Sequence, residues 1–166
     1  MYPLLRMITL FMFALLLTAC GFHLRGQAGM PFETLYLDAP NSNTPFINEL
    51  RRSLETNHVK FVNTAQEADV VLNIVSAIPE KQILTLGGSG RVNEFQLRYR
   101  VSLRAYDLKE RDWIPAEEMM LRRDYTYDDT KIFAKEQEEA LLYQSMISDM
   151  VQQIVRRLNR AKPQPQ

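Results

Sequence analysis

From Phe95 to Ala105 the chain alternates without a break. Phe95, Leu97, Tyr99, Val101, Leu103 and Ala105 fall on one side, and Gln96, Arg98, Arg100, Ser102 and Arg104 on the other. A strict period of two over this length predicts a strand with one face in a core and the other in a polar setting, as in an antiparallel sheet covered on one side. The remaining elements must supply the cover.

Two segments have the spacing to do so. Thr44 and Pro45 form a helix start, and Phe46, Ile47, Leu50 and Leu54 recur on one stripe, leaving Asn48, Glu49, Arg51, Arg52 and Glu55 outside it. After Asp128-Asp129-Thr130, a second helix is predicted to about Arg160. Its stripe is Ala140, Tyr143, Ile147, Met150, Val151, Ile154 and Leu158, with acids early and arginines late, matching the helix dipole. Three further strands are predicted. Thr34 to Ala39 is short and apolar. Asp69 to Ile78 puts Val70, Leu72, Ile74 and Ile78 on one face, with Asn73 and Ala77 opposite. Pro79 marks a bulge or an edge there, and the strand resumes through Gln82–Leu86 to a reversal at Gly87-Gly88-Ser89-Gly90. Residues 117 to 127 form the third, weakened where Arg123 interrupts its apolar side. The order strand, helix, three strands, helix predicts an α+β fold with two helices packed on one face of a four-stranded, mainly antiparallel sheet.

The amino terminus has another purpose. Arg6 precedes the apolar run Ile8–Leu17, which is too short to span a bilayer but suits a signal peptide. The run ends in Leu17-Thr18-Ala19-Cys20, which resembles a bacterial lipoprotein signal. That resemblance implies cleavage before Cys20, which then carries an S-diacylglycerol and an N-palmitoyl chain. Each buried methylene contributes about 0.8 kcal/mol, so multiple chains hold a protein stably on a membrane. The alternatives are an ordinary cleaved signal, against which bulky Leu17 argues, or an N-terminal helix containing a cysteine. Gly21, which is not the aspartate of inner-membrane retention, implies an outer-membrane destination. The segments are then 1–19 as signal peptide, 20–33 as lipidated leader, 34–161 as one domain, and 162–166 as a proline-rich, disordered tail. Cleavage leaves 166 − 19 = 147 residues, enough for a workable core. With Cys20 the only cysteine, the domain lacks an internal disulfide. Twenty Lys+Arg balance twenty Asp+Glu, which excludes a strongly basic nucleic-acid binder.

An enzyme needs a nucleophile with its base, a metal cluster or paired carboxylates. The histidines are His23, in the leader, and His58, at the end of the first helix, where it reads as a helix-end residue rather than a catalyst. Ser89 lacks the nucleophile-elbow pattern, and its glycine run lacks the Gly-Lys-[Ser/Thr] ending of a phosphate loop. No catalytic residue, metal or cofactor is assigned. Arg98, Arg100, Arg104 and Arg122 define a face opposite the helices, available to an anionic lipid or a polar protein wall. The same pattern fits a plain solvated face, diluted by Glu94, Glu117, Glu118 and Asp124. The tyrosines at 36, 99, 125 and 127 read as packing.

Cys20-Gly21-Phe22-His23-Leu24-Arg25-Gly26 after the signal, the element order and Ala134-Lys135-Glu136 early in the last helix resemble the LptE family of lipopolysaccharide-translocon lipoproteins. The resemblance implies a non-enzymatic outer-membrane protein that plugs the LptD β-barrel as a heterodimer. It further implies help in assembling that barrel, lipopolysaccharide binding, and a part in lipopolysaccharide export to the cell surface. It directs lipopolysaccharide to Lys135 and, by a looser match, Arg91. The alternative is a periplasm-facing outer-membrane lipoprotein with a structural or chaperone role and no barrel partner.

Overall fold

The computed structural model describes residues 29–164. The expected signal peptide, Cys20, His23 and the family-like run after Cys20 lie outside the described residues. The chain runs β1 (Thr34–Asp38), α1 (Pro45–Thr56), β2 (Lys60–Phe61), a 3-10 turn (Ala65–Glu67), β3 (Val70–Leu86), β4 (Val92–Tyr106) and β5 (Asp112–Thr126). A second 3-10 turn (Asp129–Lys131) then leads into α2 (Ile132–Arg160).

The sheet corrects the expected one: it has five strands in the order β2-β1-β3-β4-β5 and is mixed. β1 runs parallel to both β2 and β3, while β3, β4 and β5 are antiparallel. A helix between β1 and β2 permits the parallel pairing, because such strands need a crossover rather than a tight turn. Two residues of β2 are too few to show periodicity.

Alternation along β3 breaks at a bulge. Ile74 pairs with Leu103 and Ser76 with Ser102, so Val75 is an extra residue and the side chains from Ser76 to Ile83 change face, until a second shift between Ile83 and Thr85. Ala77, opposite Val101, therefore packs on the core, while Ile78, opposite Arg100, is 43% exposed. This reverses the predicted faces of those two residues. Pro79 marks an edge instead: β1 reaches only to Asn73, so beyond it β3 has a neighbour on one side alone. β5 begins at Asp112, five residues before the expected 117, and bulges at Pro115-Ala116, between the pairs Leu103–Glu117 and Ala105–Ile114. Arg123 sits on its helix-facing side and reaches α2, with Nη2 2.8 Å from Asp149 Oδ2.

α1 starts as its sequence indicates, Thr44 Oγ1 accepting from the amide of Ile47 at 3.2 Å with Pro45 in the first turn. It ends in a Schellman arrangement: the amide of Val59 donates to Leu54 O and that of His58 to Glu55 O, with His58 at φ 64°. His58 is thus a helix-end residue. α1 buries Phe46, Ile47, Leu50 and Leu54. α2 buries Met146, Met150, Val151, Ile154 and Leu158, whereas Ala140, expected on the buried stripe, is exposed. These stripes join Leu35, Val70, Leu72, Leu97, Tyr99, Val101 and Leu103 in one core. Phe32, at the end of the leader, enters it edge-on to Trp113, ring centroids 5.7 Å apart. Past α2, the amide of Gln164 donates to Asp112 O at 2.9 Å.

Candidate functional site

The outer sheet face is built in cross-strand rows: Ser76–Ser102–Glu118, Ile78–Arg100–Met120, Glu80–Arg98–Arg122 and Gln82–Gln96–Asp124. Its arginines are not equivalent. Arg100 forms ion pairs with Glu80 and, at 3.7 Å, with Glu118. Arg104 donates to Asp112 at 2.7 Å and lies 4.8 Å over the ring of Tyr106. Both are neutralised within the chain. Among the described residues the Arg98 side chain donates only to Gln96 Oε1, at 2.8 Å, and Gln96 in turn donates to Asp124 at 2.9 Å. Arg122, exposed and directly opposite Arg98, has no carboxylate within ion-pair distance among the described residues. The face is therefore a charge mosaic with one unneutralised arginine pair near its centre, rather than a uniformly basic surface.

The second candidate region lies at the tip of the β3–β4 hairpin. Gly90 turns the chain with φ 77°, a left-handed conformation open to glycine, and the amide of Gly87 donates to Arg91 O at 2.7 Å. Arg91, 71% exposed, places Nη1 3.4 Å from Asp129 Oδ2 in the turn before α2. The hairpin tip and the helix start, distant in sequence, are thus joined. Asp128 caps that turn, accepting from the amide and hydroxyl of Thr130 at 3.0 and 2.7 Å, bonds that hold its carboxyl below the usual range. Lys135, one turn into α2, is shielded: its side chain is 17% exposed and Nζ lies 2.7 Å from Glu138. Lys131 is 69% exposed beside Asp128, and the sequence reading did not single it out because the neighbouring acids mask it.

Beneath this end Lys81 enters an aromatic box, 4.2 Å from the ring centre of Phe95 and near Tyr125 and Tyr127. Its Nζ is 2.5 Å from Glu139 Oε2, which also accepts from the Tyr125 hydroxyl at 2.6 Å. Burial opposes the charge on Lys81, but the bonds to Glu139 and Tyr125 outweigh it and raise its pKa. Burial, reinforced by Glu139, pushes the Tyr125 phenol up to about 12. With the hydroxyl of Tyr143 donating to Glu80 O at 2.7 Å, this clamp fixes the start of α2 on the hairpin. Tyr99 and Tyr125 are buried and Tyr127 packs at the core rim, as expected, whereas Tyr36 is half-buried and lies outside the core cluster.

The opposite end holds an open cleft of about 570 Å³ lined by Phe32, Asp69, Asp107 and Trp113 among others. Asp69 and Asp107 are engaged in structure. Asp69 accepts from the amides of Glu33 and Thr34, and Asp107 from the Arg111 side chain and the amides of Lys109 and Arg111. Among the described residues no cluster of three or more His, Cys, Asp or Glu is placed to hold a metal, and no helix is long and apolar enough to cross a membrane.

Known proteins share this architecture. A solution structure of an uncharacterized lipoprotein B from Nitrosomonas europaea is 40% identical, with a TM-score of 0.72 over 84% of this chain and 90% of that one. The crystal structure of rare lipoprotein B from Shewanella oneidensis is 26% identical, with a TM-score of 0.67 over 75% and 92% of the two chains. In sequence, the LPS-assembly lipoprotein LptE of Pectobacterium atrosepticum is 30% identical over 149 residues, 87% of this chain and 80% of the relative. That of Photorhabdus laumondii is 26% identical over 164 residues, 92% and 85% of the two. The family profile LptE, described as lipopolysaccharide-assembly, matches residues 32–158, and the chain belongs to this family.

Proposed function

We propose that this protein is an outer-membrane lipoprotein, acylated on Cys20, that forms a heterodimer with the LptD β-barrel. It assists the assembly of that barrel, binds lipopolysaccharide and takes part in its delivery to the cell surface. The role is binding and assembly, without catalysis or cofactor, in keeping with a family described by assembly. The lipoprotein signal supports the anchor.

One observation carries the lipid part: the ion pair between Arg91 and Asp129 brings an exposed guanidinium to the start of α2. A guanidinium fork exchanges a 3.4 Å exposed pair for a bidentate phosphate at little cost. In this arrangement Arg91 is the primary phosphate contact. Lys135 joins it only when Glu138 releases it. Immobilised lipopolysaccharide tests the reading: the Arg91→Ala, Lys135→Ala double variant loses most binding, Arg91→Ala alone more than Lys135→Ala alone. Wild-type affinity in the double variant overturns it.

The internal neutralisation of Arg100 and Arg104 favours a second reading, a periplasm-facing lipoprotein with a structural or chaperone role and no barrel partner. That protein is extracted from membranes as a lone small species.

A further inference from the structure

The arrangement of Arg98 and Arg122 leaves a like-charge pair without a counter-ion among the described residues. Their Cα atoms are partnered across β4 and β5, which sets the side chains next to each other on the same face. Like charges directly opposite destabilise a sheet. The carboxylate opposite Arg98 on its other side, Glu80, is engaged by Arg100, and Asp124 in the next row is held by Gln96. Gln96 also fixes Arg98 through its Nε, leaving the terminal nitrogens of that guanidinium free to meet an acceptor.

Resting on the barrel-bound reading above, we propose that Arg98 and Arg122 form a two-guanidinium clamp for a carboxylate on the barrel wall, seating the outer sheet face against it. Charge complementarity sets the chemistry, because two adjacent forks with no internal acid accept one bridging carboxylate in bidentate fashion. The surroundings select a protein wall over a lipid. The neighbouring rows are a flat alternation of ion pairs and amides, and the exposed apolar side chains beside them, Ile78 and Met120, are separated by Arg100. Such a face offers hydrogen bonds to a polar wall, and its apolar side chains at Ile78 and Met120 do not join into one patch.

The test uses the full-length, acylated protein, tagged at its carboxyl terminus and extracted from membranes in mild detergent. Wild type and the Arg98→Gln, Arg122→Gln double variant are compared for retained barrel across a salt series, and for melting temperature when free. The clamp predicts a melting temperature unchanged or raised, because the repulsion is gone, together with about a tenfold loss of retained barrel where half the wild-type complex survives. An Arg98→Lys, Arg122→Lys variant falls between, keeping charge but losing the forks. Equal retention by wild type and the glutamine variant overturns the clamp and leaves the complex standing. A lowered melting temperature in the free glutamine variant also overturns it, by assigning the pair a role in folding. Unchanged barrel retention with weakened lipopolysaccharide binding overturns it in favour of a phosphate site. Failure of wild type to retain any barrel removes the complex and the clamp together.

Discussion

Replacing Glu139 with alanine removes the hub of the clamp between α2 and the hairpin, and its cost follows from geometry. Glu139 is 21% exposed and receives Lys81 at 2.5 Å and the Tyr125 hydroxyl at 2.6 Å. A dry hydrogen bond to a charged group is worth about 1.5–3 kcal/mol, and an exposed ion pair about 0.2–1 kcal/mol. The ion pair is partly exposed and Tyr125 is buried, so the two contacts together contribute about 2 kcal/mol. The cation over Phe95 survives the change, and the better helix propensity of alanine returns a few tenths. For a domain of this size the melting temperature falls by about 4–8 °C. Urea unfolding followed by circular dichroism, in a double-mutant cycle with Lys81→Met, should give a coupling of about 1 kcal/mol. The alkaline limb gives an independent check. The Tyr125 phenol is held protonated up to about 12 in the fold. An unfolded phenol releases its proton near 10, so the native state binds more protons in between and stability falls with rising pH through that window. Lys81, also raised, acts in the same direction. Tyr125→Phe should flatten this fall. Additivity of the Lys81 and Glu139 variants within about 0.3 kcal/mol would refute the clamp.

The bulge at Val75 predicts opposite outcomes at adjacent residues: Ala77→Asp should destabilise by about 2–3 kcal/mol, and Ile78→Asp by under about 1, in chemical denaturation. At His58, held at φ 64°, glycine should stabilise by about 0.5 kcal/mol and valine destabilise by about 1, read as midpoint shifts in urea. Asp69, lowered in pKa chiefly by the amide of Thr34 despite some desolvation, stabilises the fold above the usual carboxylate range and loses this as pH falls through its depressed value. Asp69→Asn should therefore cost about 1 kcal/mol at neutral pH and flatten the acid limb of the stability curve.

Both helices and the central strand were legible because their periods run unbroken: Phe46 to Leu54, Phe95 to Ala105, and Tyr143 to Leu158 each maintain one phase. What escaped was every break in phase. One inserted residue at Val75 moved Ile78 to the surface, and Pro115 in the second bulge concealed Trp113 and Ile114 as strand residues. β2 is defined by pairing with β1, which no local pattern encodes. For the candidate sites, sequence found the arginine row but not its neutralisation, since Glu80 and Asp112 reach Arg100 and Arg104 across strands whose register depends on those bulges. The joining of Arg91 to Asp129 belongs to tertiary contact alone.

Native mass spectrometry of the tagged protein extracted from outer membranes measures anchor and partner at once. The account predicts a one-to-one complex with a large β-barrel, in which the small subunit begins at an acylated Cys20. A lone species, or a subunit retaining an unmodified signal, would contradict it.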